Sequence, residues 1–294
     1  MFKNEWNEVR SGWLILGAFV VVLVGQIMFT LPGVTFLNLI EMAGRHNDTP
    51  NVFLQSPFTI LLTQGAGTFG GIAATFIAYR TINKKNPNKM YVQGRATDLW
   101  TGLILGALSI TILFVFLYST NQIVLKNPLS DPNITSALLV YFILFILVSL
   151  FEEILFRGYV MNTMRAKHNK KSVMYIVSAL LFTFAHVFNP NLAILGLINI
   201  FFIGLLFAYM FDRTRSLLMP IGFHFTWNFF QGSIFGFPVS GLDPHGLYKI
   251  DVTTNVPLLT GGTFGLEASI LTTIIIGINF MIVKMYTKQH IRSL

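Results

Sequence analysis

Apolar residues run along this chain in stretches of roughly twenty, broken by short polar segments, the length that crosses a bilayer as a helix. Eight stretches can be read, at about 12–31, 57–79, 99–124, 136–164, 172–187, 192–211, 217–235 and 263–283. The fifth is short and joins the sixth through the tight sequence FNPN at 188–191, so that pair also reads as a re-entrant hairpin. The first has no cleavage-like site and seven more follow it, which predicts an anchor rather than a signal peptide. The expected fold is therefore all-α, a polytopic membrane protein of about eight transmembrane helices.

Composition agrees. Hydrophobic residues make up 53% of the 294 and charged residues 11%, with mean hydropathy +0.65; soluble domains carry about 25% charged residues. There is no cysteine, which excludes disulfides, thiol nucleophiles and thiolate metal sites. The net charge of +8 is explained by its placement. Alternating sides puts 16 of the 20 basic residues together: Lys3, Arg10, Arg80, Lys84, Lys85, Lys89, Arg95, Arg165, Lys167, Lys170, Lys171, Arg213, Arg215, Lys284, Lys288 and Arg292. Arg45, Lys126 and Lys249 fall opposite, and Arg157 alone stays inside a span. By the positive-inside rule both termini are cytoplasmic, in the cell membrane. The basic surface suits anionic lipid and needs no nucleic acid. No domain boundary or repeat is visible, so 1–294 reads as one transmembrane domain, with a basic cytoplasmic loop at 80–95 and a long outer loop at 236–262. Gly67/Gly71 and Gly102/Gly106 have the small-xxx-small spacing of close helix packing. Two sequons, at Asn47 and Asn133, fall on the outer side.

The fourth stretch contains FEEILFRGYV, three charges where each costs on the order of 3 kcal/mol. Glu153 and Arg157 are four apart in the favourable order for an intrahelical pair, which leaves Glu152 over, about 140° around an α-helix from Arg157. The fifth span ends near His186, and the seventh puts His224 and Asn228 four apart on one face. Counted from the cytoplasmic ends, Glu152, His186, His224 and Asn228 lie roughly 18, 22, 12 and 18 Å deep, so they can converge on one intramembrane cavity. A glutamate, two imidazoles and an amide suit water activation and carbonyl polarisation, the chemistry of acyl or peptide hydrolysis. Glu152, His186 and His224 are also candidate zinc ligands. No nucleophile elbow and no H-E-x-x-H is present.

These motifs resemble the CAAX-protease and bacteriocin-processing (type II CAAX prenyl endopeptidase-like) intramembrane proteases. The EExxxR motif is Glu152, Glu153 and Arg157; FxxxH is Phe182 and His186; HxxxN is His224 and Asn228. They follow in order on successive spans, and the resemblance covers about 136–235. It implies a membrane-embedded endopeptidase in which Glu152 activates water with help from His186. His224 and Asn228 hold the oxyanion, and Arg157 holds Glu153. Zinc-assisted and metal-free glutamate mechanisms are both compatible with it. The substrate it implies is a peptide or membrane protein, in CAAX-type processing or in bacteriocin maturation or self-immunity. Two other classes remain: a non-catalytic scaffold or immunity protein, and a proton-coupled transporter using Glu152 and His186.

Overall fold

In hydrocarbon every backbone N–H and C=O must be bonded within its own segment, so apolar stretches without charges close into helices. The computed structural model describes residues 2–44, 54, 56–90, 92–252 and 256–291. In chain order the helices are α1 (Ser11–Gly44), α2 (Phe58–Thr81), α3 (Ala96–Ser119), α4 (Ser136–Ala166), α5 (Lys171–Ala185), α6 (Ile194–Thr214), α7 (Leu218–Asn228, continued by π-helical Phe229–Ile234) and α8 (Ile270–Ile291). The protein is an all-α, multi-pass membrane protein.

Six of these helices, α1, α2, α3, α4, α6 and α8, are long and apolar enough to cross a bilayer. The expected fifth and seventh spans are shorter. The 15 residues of α5 rise about 22 Å, less than the roughly 30 Å of a hydrocarbon core. The last span begins at Ile270 rather than 263, because positive-φ glycines (Gly261 at 79° and Gly265 at 108°) turn the chain through short 3-10 segments first.

Large apolar side chains face outward on α1 (Leu16, Val20, Leu23), α3 (Ile104, Leu108, Ile112) and α8 (Ile274, Met281, Met285), the surface a lipid-bathed protein presents. With no water to expel between helices, packing depends on close backbone approach, and the glycines supply it. A Cβ at Gly102 would lie 2.2 Å from the Met219 carbonyl oxygen and one at Gly106 2.3 Å from that of Phe223, so α3 packs directly on α7. A Cβ at Gly67 would lie 2.3 Å from Thr30 Oγ1 on α1.

The two ends of the bundle differ. At one end Lys167 pairs with Glu8, Asn169 bonds Ser11, Asn83 bonds Thr163 and Arg213 bonds Thr287, gathering the basic segments expected on one side. At the other, β1 (Ile123–Leu125) pairs antiparallel with β2 (Ile250–Val252) in the register Ile123–Val252, and Lys126 pairs with Asp251. Arg45, the Asn47 sequon and Arg292 lie outside the described residues. The expected outer loop is folded inward: Phe237, Val239, Phe264 and Leu266 are buried in the core beneath it.

Candidate active site

The α4 helix changes pitch at the charged motif, with Ile154–Met161 forming a π-helix immediately after Glu153; such widened turns often mark functional sites. The α2 helix reaches this point because Gly71 has no side chain, and a Cβ there would lie 2.5 Å from the Phe151 ring. Arg157 is fully buried. Two of its nitrogens are paired, Nη1 donating to Glu153 Oε1 at 2.9 Å and Nη2 to the Gly204 carbonyl at 3.0 Å, while Nε is buried without a hydrogen-bond partner. Its guanidinium also lies 4.5 Å from the Phe182 ring centre and 5.1 Å from that of Phe207, contacts that stabilise a desolvated cation. Phe182, the first residue of FxxxH, is thus a platform for the arginine, and it meets the His224 ring edge-on at 6.0 Å.

The two glutamates do not face separate neighbourhoods, as helical angles suggested. Both flank one imidazole. His224 Nδ1 lies 3.1 Å from Glu153 Oε1, and its Nε2 lies 3.9 Å from Glu152 Oε2. The first is a hydrogen bond; the second is too long for one. Glu153 therefore holds both Arg157 and His224, a second duty invisible to a single-helix argument because His224 arrives from α7. The ring is kept in place by stacking on Phe207 at 5.2 Å. Glu152 Oε2 is buried with no hydrogen-bond partner.

His186 caps the end of α5, where its Nδ1 lies 2.8 Å from the Phe182 carbonyl. A carbonyl only accepts, so Nδ1 carries the hydrogen and a neutral ring keeps Nε2 as an acceptor. Asn228, on α7, is 9% exposed, and its amide has no hydrogen-bond partner among the described residues. Glu152, His186, His224 and Asn228, together with Phe182, line one cavity of about 330 Å³. Glu153 and Arg157 stand behind its wall.

The cavity wall also contains residues that no motif flagged. Gln64 comes from α2, Asn199 from α6, Ser240 and Asp243 from the 236–262 loop, and Glu267 from the turn before α8. Glu267 is buried; its Oε2 accepts from Gln231 Nε2 at 2.5 Å, and its Oε1 accepts from the Ser240 backbone N–H at 3.0 Å and hydroxyl at 3.1 Å. Burial pushes its carboxyl up to about 7, against the pull of those donors. Asn199 Nδ2 donates to the Glu267 and Ser269 carbonyls, tying this turn to α6. The sequence did hold one signal, since Glu267 is the single charge in the apolar stretch 263–283.

The donor set does not fit a preformed zinc site. Among the described residues no three His, Cys, Asp or Glu side chains group closely enough to hold a metal ion. His186 Nδ1 is held by a carbonyl and His224 Nδ1 by Glu153, which leaves each histidine only its Nε2 as a ligand atom.

Comparison with known proteins places this region. Residues 134–230 match the family described as type II CAAX prenyl endopeptidase Rce1-like. Over 159 residues, 52% of this chain and 70% of the relative, the sequence is 28% identical to an uncharacterized 24.3 kDa protein of Escherichia coli. No solved structure matches the chain. The matched segment runs from the start of α4 through α7, the stretch that supplies Glu152, His186, His224 and Asn228, and it is this segment that makes the chain similar to the type II CAAX prenyl endopeptidase Rce1-like family.

Proposed function

We propose that the chain is an intramembrane endopeptidase that hydrolyses a peptide bond with water activated by Glu152, in a peptide or membrane-protein substrate. One observation carries this reading: Glu152, His186, His224 and Asn228 line a single cavity, and among the described residues neither Glu152 Oε2 nor the Asn228 amide has a hydrogen-bond partner. Buried polar groups without partners cost stability, and substrate and water are what would satisfy these.

In this mechanism Glu152 takes a proton from water as its oxygen attacks the carbonyl carbon, while His186 Nε2 accepts the water's other hydrogen and fixes its orientation. The carbonyl oxygen becomes an oxyanion. Asn228 Nδ2–H donates to it, and so does His224 Nε2–H when that ring carries a proton on each nitrogen, its Nδ1–H bonded to Glu153. Glu152 then returns its proton to the leaving nitrogen as the C–N bond breaks. Positioned bases are worth roughly 10²–10⁴ in rate, and a single oxyanion donor roughly 10²–10³. The basic end of the bundle, with both termini, faces the cytoplasm, which puts the 236–262 segment outside.

The test is cleavage of a peptide library by the purified chain in lipid nanodiscs, read by mass spectrometry. Products should form with the wild type and vanish with His186→Ala. Proton-driven uptake in proteoliposomes without cleavage would point to transport instead.

A further inference from the structure

The catalytic residues occupy only part of the cavity wall. Its remaining charges are Asp243 and Glu267, which with Glu152 make three carboxyl groups. No lysine or arginine lines it among the described residues, and Arg157 stays behind the wall with its charge taken up by Glu153. Glu267 is not a solvated surface acid. It is 7% exposed, and Gln231 and Ser240 orient it through three hydrogen bonds. Those donors favour the carboxylate form and burial opposes it, so the group carries its charge above about pH 7. The cavity is independently marked as a ligand site by the unpartnered amide of nine-tenths-buried Asn228. Its other walls are apolar and aromatic, including Phe145, Trp227 and Tyr141, and aromatic faces also accept cations.

We infer that Glu267, with Asp243, forms a specificity subsite that selects an apolar peptide segment carrying a lysine, an arginine or a free amino group near the bond to be cut, and disfavours one presenting a carboxylate there. This rests on the protease reading for the cutting but not for the binding. A carboxylate-bearing segment would enter a cavity whose fixed charges repel it and which offers no lysine or arginine to pair with. Above about pH 7 a cation would find two carboxylates beyond the one reserved for water activation. Charge discrimination of this kind strengthens where water is excluded.

The experiment uses full-length Glu152→Gln protein in nanodiscs at about pH 8, so that binding is read without turnover and with Glu267 ionised. The probes are three fluorescent eight-residue peptides of leucine and alanine, alike except for a central lysine, norleucine or glutamate. The lysine peptide should bind at least tenfold tighter than the norleucine peptide and the glutamate peptide more weakly than either. The lysine-to-norleucine ratio should fall toward one on adding Glu267→Gln. Because Glu267 also anchors Ser240 and Gln231, that variant can be compromised in folding, so Asp243→Asn, at an exposed position, provides the second reading and should lower the ratio at least threefold. Equal binding of the three peptides, or a ratio unchanged in both variants, would overturn the subsite. Charge-selective binding with no cleavage by the wild type would sink the protease reading and leave the subsite standing.

Discussion

Removing the Glu153 carboxylate should cost the protein both its stability and its site, and the two losses can be separated. In Glu153→Ala the Arg157 guanidinium, with no exposed surface, keeps its bond to Gly204 and its ring contacts but loses its only carboxylate partner among the described residues. Leaving one member of a buried ion pair alone costs about 3–5 kcal/mol. Adding Arg157→Met removes the stranded cation, and buried pairs replaced by apolar groups are often no less stable than the original. The double variant should therefore return to within about 1–2 kcal/mol of the wild type. Its turnover should not return, because His224 Nδ1 still lacks the acceptor 3.1 Å away that orients it. Unfolding by SDS in mixed micelles gives the stabilities, and peptide cleavage the activity. A Glu153→Ala protein that unfolds with the wild type, or a double variant as unstable as the single one, would refute the pair as described.

Three other outcomes follow. Glu267 holds a proton in the folded protein up to about pH 7 that the unfolded chain loses near 4.5, so folded stability should fall as pH rises from about 4.5 to 7, by roughly 3 kcal/mol, and level off above. Glu152, His186, His224 and Asp243 line the same cavity, so the slope due to Glu267 is the part that disappears in Glu267→Gln on thermal unfolding across that range. Chelation with EDTA or phenanthroline should leave peptide turnover within about twofold, since the described donors form no three-ligand group; loss restored by added zinc would contradict this. Gly71→Val should lower melting temperature and turnover together, at about 1–3 kcal/mol for overpacking, because the new side chain meets the Phe151 ring beside Glu152; unchanged turnover would mean that the α2–α4 contact does not set the position of Glu152.

What the sequence disclosed was what spacing within one helix can encode. The Glu153–Arg157 pair was legible because four residues separate its members, and the π-helical turn preserves the contact. Gly102 and Gly106 announced close packing that α7 fills. Contacts between helices were not legible. Nothing along α4 says that His224 will arrive with one nitrogen toward each glutamate. The fifth apolar stretch was visibly short in the sequence, as α5 is, whereas the seventh looked like a full span because hydropathy does not register that α7 ends in a π turn. The 236–262 loop was the least legible. Its polar, glycine-rich composition looks solvated, yet Ser240 is drawn into the cavity wall by Glu267, which Gln231 and Asn199 hold in turn.

The central claim is that Glu152 is the base. Glu152→Gln keeps the size and polarity of a side chain that makes no hydrogen bond through Oε2, so the protein should accumulate and unfold like the wild type. Turnover of a peptide that the wild type cleaves should fall by roughly 10²–10⁴. Measured on the same nanodisc preparation, a normally folded Glu152→Gln protein without turnover is the predicted result, and one that cleaves at near wild-type rate would contradict the account.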